Sequence, residues 1–98
     1  MVIGILQFEL IMRGNRSLKD KRRIIKSLKD RLHRNYMVSV AETGALDEHR
    51  VALMGLVLAT NSASRAHSVL DRIRDFLLNV ADAELGEISK EVITAGSD

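Results

Sequence analysis

The 98 residues contain no cysteine and no proline. The first absence excludes disulfides, thiolate catalysis and cysteine-ligated zinc. No stretch reads as a low-complexity tract or linker, so a single domain over 1–98 is expected. Tryptophan is also missing, and Phe8, Tyr36 and Phe76 are the whole aromatic complement. RNA-recognition motifs stack bases on sheet aromatics, and so small a set disfavours that mode of binding. The apolar start, 1–12, is too short to span a bilayer, lacks a basic leader and carries Gln7 and Glu9. A cytoplasmic protein without membrane partners is therefore expected. No glycine-rich phosphate loop, nucleophile elbow or zinc signature is visible, so neither a cofactor nor a metal nor a catalytic residue is assigned. His33, His49 and His67 fall on separate segments. A non-enzymatic role follows as the expectation.

Positive charge is unevenly spread. Ten of the fifteen Lys and Arg residues fall within 13–34, where only Asp20 and Asp30 oppose them, leaving a segment of about +8. The remaining five basic and eleven acidic residues sum to about −6. Such polarity is a statement about partners, because it draws anions to one surface.

Residues 2–12 alternate as a strand, with Val2, Gly4, Leu6, Phe8, Leu10 and Met12 on one face and Ile3, Ile5 and Ile11 on the other. Arg13-Gly14-Asn15-Arg16 reads as a turn. Ser17 and Asp20 have capping-box spacing, and Leu18, Ile25, Leu28 and Leu32 mark a helical stripe over 18–34, with Asn35 as its stop. A second strand is expected over 36–43 and a polar hairpin connection over 44–50. The apolar run 51–60 reads as a third, central strand. Asn61 or Ser62 can cap a second helix carrying Ala66, Val69, Leu70, Ile73, Phe76, Leu77 and Val80 on one face. A fourth strand over 85–94 and a frayed end over 95–98 complete the chain.

The order β-α-β-β-α-β predicts an α+β, ferredoxin-like sandwich with two helices on one face of a four-stranded antiparallel sheet. Strands 1 and 3 are expected as the central pair, running in the same direction. The face opposite the helices would then be apolar, and a homodimer through sheet surface or edges is expected.

On a helical wheel Lys19, Arg22, Arg23, Lys26, Lys29, His33 and Arg34 occupy an arc of roughly 140°. The helix start carries Lys19, Lys21, Arg22 and Arg23, against the usual acidic preference there. Lys19, Lys21, Arg22, Arg23, Lys26 and Lys29 are the candidate nucleic-acid contacts, directed to phosphates of RNA or a ribosomal particle. A second candidate is a cradle for a small anionic ligand, built from Arg13, Arg16 and Ser17 beside Asn61, Ser62 and Arg65, if the two helix starts share one sheet edge. Glu42 is expected to pair with Arg50.

The segment Ser17-Leu18-Lys19-Asp20-Lys21-Arg22, with Ser27 and Arg31, followed by Val38-Ser39-Val40-Ala41-Glu42, resembles the YlxP-like family of small bacterial proteins. The resemblance spans nearly the whole chain. It implies a ferredoxin-like fold, a cytoplasmic location and, from frequent gene neighbourhood with translation initiation and ribosome maturation factors, an RNA or ribosome partner. It transfers no catalytic residues.

Overall fold

Strict alternation of large apolar and other residues lets the first strand bury one side completely. In the computed structural model, which describes residues 1–96, β1 (Val2–Ile11) places Val2, Leu6, Phe8 and Leu10 in the core, with Met12 just beyond it. Gly4 belongs to the same row, and it is glycine because α2 comes close. A Cβ there would lie 3.1 Å from Leu70 Cδ1 and 3.2 Å from Leu58 Cγ. The chain continues through α1 (Leu18–Tyr36), β2 (Ser39–Gly44), β3 (Val51–Thr60), α2 (Ala63–Leu78) and β4 (Glu84–Thr94).

The sheet is antiparallel, in the order β2-β3-β1-β4. Both helices cover one face, giving the ferredoxin-like α+β sandwich. Leu28 and Leu32 of α1 and Leu70, Ile73 and Leu77 of α2 meet Leu6, Leu10, Met54 and Leu56 of the central strands, all at 2% exposure or less. Each such side chain contributes roughly 1.5–3 kcal/mol of transfer free energy, so this layer dominates the stability. Tyr36 and Phe76 join the helices edge to face, with ring centres 6.0 Å apart.

Three local expectations change. β1 and β3 are the central pair but run antiparallel, with Val2 opposite Thr60 and Ile11 opposite Val51. The reason is topological: the α1 crossover returns the chain parallel to β1, and the β2–β3 hairpin then reverses it. Helix α1 also runs past Asn35 to Tyr36 and ends on Met37, a left-handed residue (φ 53°) whose N–H donates to His33 O. Tyr36 thus belongs to the helix rather than to the second strand, which begins at Ser39. Ala95, expected to fray, donates its N–H to Met1 O at 2.8 Å and accepts from the Met1 amine at 3.1 Å; residues 97–98 lie outside the described residues. Among the described residues, no helix is long and apolar enough to cross a membrane.

Candidate nucleic-acid interface

Helix α1 starts where the sequence places it. Ser17 is its N-cap, its Oγ accepting the Asp20 N–H at 3.1 Å, while Asp20 Oδ2 accepts the Arg16 N–H at 2.8 Å. The reciprocal pair satisfies two otherwise orphaned donors. The Arg16 N–H, with a smaller attraction from Arg23, holds the Asp20 carboxyl below its ordinary value. One carboxylate at the first turn therefore offsets part of the unfavourable cationic start.

From this start the helix extends for about 28 Å. The side chains of Lys19, Arg22, Arg23, Lys26, Lys29 and Arg34 are exposed along it. Arg22, Lys26 and Lys29 line a groove of about 290 Å³ between α1 and the edge strand β2, together with Ile25, Asp30 and Glu42. A second hollow, of about 320 Å³ and lined by Lys29, His33 and Val38 among others, extends the groove along the strand. Two intrahelical contacts touch this surface: Arg23 to a half-buried Asp20 at 3.6 Å, and Lys26 to Asp30 at 3.4 Å between two solvated side chains. Pairs of that kind are worth at most about 0.5 kcal/mol and release their cation to a stronger anion. Lys19, Arg22, Lys29 and Arg34 have no ion-pair partner among the described residues.

Lys21 is not part of this surface. Its side chain is only 2% exposed. The ammonium donates to Ala45 O at 2.8 Å and Glu48 O at 2.7 Å, and lies 2.7 Å from Glu42 Oε2. The Glu42 approach is an ion pair outside hydrogen-bonding angles. An ammonium so enclosed has two hydrogen bonds to carbonyls of the β2–β3 connection and its remaining side against the Glu42 carboxylate of β2, with nothing left for a phosphate. This also corrects the expected pairing of Glu42 with Arg50. Arg50 instead donates from Nε to Asn15 O at 2.9 Å, and buried Asn15 donates from Nδ2 to His49 O at 3.0 Å. Arg31 turns away as well, its guanidinium 5.4 Å from the centre of the Phe76 ring.

The cradle of Arg13, Arg16 and Ser17 with Asn61, Ser62 and Arg65 is not assembled. The antiparallel register puts the first group beyond Ile11 and the second beyond Thr60, at opposite ends of strands about 30 Å long. Each part has a local task. Arg13 Nε meets Glu84 Oε2 at 3.2 Å, and Ser62 Oγ accepts the Arg65 N–H at 3.1 Å as the cap of α2.

On the opposite face of the sheet, alternation brings Glu9, Glu84, Glu87 and Glu91 to the surface and no Lys or Arg from any strand. The aromatics lie on the helix side, in or against the core.

The chain matches, over residues 3–90, the family described as "Protein of unknown function (DUF503)". It belongs to that family. A relative, the "Uncharacterized protein YlxP" of Bacillus subtilis (strain 168), is 26% identical over 83 residues, which cover 85% of this chain and 90% of that protein. The match takes in β1 from its second residue, the whole cationic helix and most of β4.

Proposed function

We propose that the family member described here is a cytoplasmic, non-enzymatic module that docks α1 on the phosphates of structured RNA, such as a ribosomal precursor. The observation that carries this reading is the solvated set Lys19, Arg22, Arg23, Lys26, Lys29 and Arg34, on a helix whose remaining Lys and Arg side chains, Lys21 and Arg31, are turned inward. Charge directed at solvent over about 22 Å, from Lys19 to Arg34, fits a line of phosphates better than a single small anion. The anionic, aromatic-free sheet face argues against base stacking there. Contacts through ammonium and guanidinium groups position a nucleic acid without reading its sequence, so binding is shape-directed and sequence-tolerant.

Titration of a structured RNA at several salt concentrations tests this, with the unaltered chain and a Lys26→Glu, Lys29→Glu variant. Salt-dependent binding that the variant loses supports the reading. Binding indifferent to the two reversals, or none at low salt, rejects it.

A further inference from the structure

The sheet face without helices is laid out in transverse rows by the strand register. Ser39, Val57, Ile5 and Glu91 form one row, and Ala41, Gly55, Gln7 and Ser89 form the next. The two halves of the face differ in size and charge. The β2–β3 half carries the small Ser39, Ala41 and Gly55 between the larger Leu53 and Val57, and a shallow apolar hollow of about 350 Å³ over Ser39, Ala41, Gly55 and Val57 reaches Ile5 and Gln7 of β1. The β1–β4 half carries bulky isoleucines and all four carboxylates. Large apolar groups stand in solvent on both, with Leu53 40%, Val57 44% and Ile93 38% exposed.

We propose that a second copy of this chain covers this face, sheet against sheet, about a two-fold axis parallel to the strands. Two simple two-fold arrangements exist for stacked sheets of nearly aligned strands. An axis across the strands lays β4 on β4 and brings carboxylates of both copies together, where like charges leaving water repel strongly. An axis along the strands lays β4 on β2 and β1 on β3. Glu91 then meets Ser39 of the second copy, Val57 meets Ile5, and the carboxylates of each sheet lie over the uncharged β2–β3 half of the other. The face is thus free of opposed charge in one orientation only.

Its extent is sufficient. Ten residues on each of β1 and β3, with the six of β2 and those of β4 that lie over them, cover roughly 500 Å², or about 1,000 Å² over two copies before side-chain relief is counted, which reaches the roughly 1,000 Å² a specific interface needs. Pairing through the β2 edge is the less favourable route, because α1 packs beside that strand and two segments of about +8 would be brought together. In the face-to-face assembly both cationic helices point outward. The proposal stands independently of what those helices bind.

Sedimentation equilibrium of the full chain at tens of micromolar tests the association; a mass twice the 10.9 kDa of one chain is expected. Val57→Arg should weaken self-association at least about tenfold with an unchanged circular dichroism spectrum. Since the chain has no native cysteine, single-cysteine variants report orientation directly. A mixture of Ser39→Cys and Glu91→Cys chains should form a mixed disulfide much faster than either chain forms one with itself. A monomer throughout this range overturns the proposal. So does a dimer in which Glu91→Cys chains, mixed with Glu87→Cys chains, cross-link preferentially, since that places β4 on β4. Should Val57→Arg fail to fold, the cross-linking pair still decides.

Discussion

The ammonium of Lys21 lies 2.7 Å from Glu42 Oε2, joining the first turn and a half of α1 to the edge strand β2 from beneath. It also holds two carbonyls of the β2–β3 connection. Helix, edge strand and hairpin therefore share one buried cation. Lys21→Met retains the aliphatic stem but leaves Glu42 and both carbonyls unpaired, and removing one partner from such a site costs about 3 kcal/mol or more. In a domain of this size that lowers Tm by roughly 12–24 °C. Lys29→Met, on the exposed face, should change stability by no more than about 0.5 kcal/mol. Urea unfolding of the two variants checks the contrast; equal midpoints would deny Lys21 its buried role.

That role was legible in the sequence. Position 21 falls on the helical wheel among Ile25, Leu28 and Leu32, opposite the cationic arc. Counting charge along the segment hid what angular position reveals, namely that this lysine shares the apolar stripe. The element order, the buried face of β1 and the Ser17 cap were likewise readable, and the cap of α2 to within Asn61 or Ser62, because alternation and capping depend on neighbours in the chain. The strand directions required one more step, following the chain through the crossover and then the hairpin. That path, antiparallel for β1 and β3, is what keeps Arg13 and Arg65 at opposite ends of the sheet. The pairing of Glu42 had no local signal: it depends on which helix face lies over β2, and that is set by packing between distant segments.

Met37 ends α1 in the left-handed region with its side chain 86% exposed. A side chain there is strained and packs against little, so Met37→Gly should stabilise the protein by up to about 1 kcal/mol. The check is a rise in the urea midpoint with an unchanged denaturant slope. A fall would mean that Met37 makes a contact important enough to outweigh its backbone strain.

Gly4 marks the closest approach of α2 to the sheet. Its missing Cβ faces Leu70 and Leu58, two branched core side chains with little room to retreat. Gly4→Val should cost about 1–3 kcal/mol through overpacking. Truncating one neighbour by Leu58→Ala in the same chain should return part of that loss, which a double-mutant cycle measures as coupling.

Two aspartates make the stability fall in acid. Asp71 is held below its ordinary value mainly by the hydrogen bond from Lys90 at 2.9 Å, which ties α2 to β4, and Asp20 by the Arg16 N–H. A carboxyl depressed in the folded state contributes its stabilisation above the unfolded value, 3.8 for both, and loses it as pH falls through the folded value below that. Urea midpoints should thus be level near neutrality and decline below about pH 4. Asp71→Asn should lower the neutral midpoint and flatten the acid decline; an undiminished decline in both Asp71→Asn and Asp20→Asn would locate the acid sensitivity elsewhere.

The RNA reading makes a residue-by-residue claim about salt. If α1 neutralises four or five phosphates, the logarithm of the association constant should fall with the logarithm of salt concentration with a slope of roughly −3.5 to −4.5. Arg22→Ala and Lys29→Ala should each lower the magnitude of that slope by just under one, because each removes one released counterion. Arg65→Ala lies beyond Thr60 at the far end of β3 from the start of α1, and should leave the slope unchanged. Lys21→Gln should also leave it unchanged where the variant is still folded, since that ammonium already holds two carbonyls and a carboxylate. A slope lowered equally by all four substitutions would signify a diffuse attraction to net charge. A slope lowered only by the first two places the phosphates along the exposed side of α1.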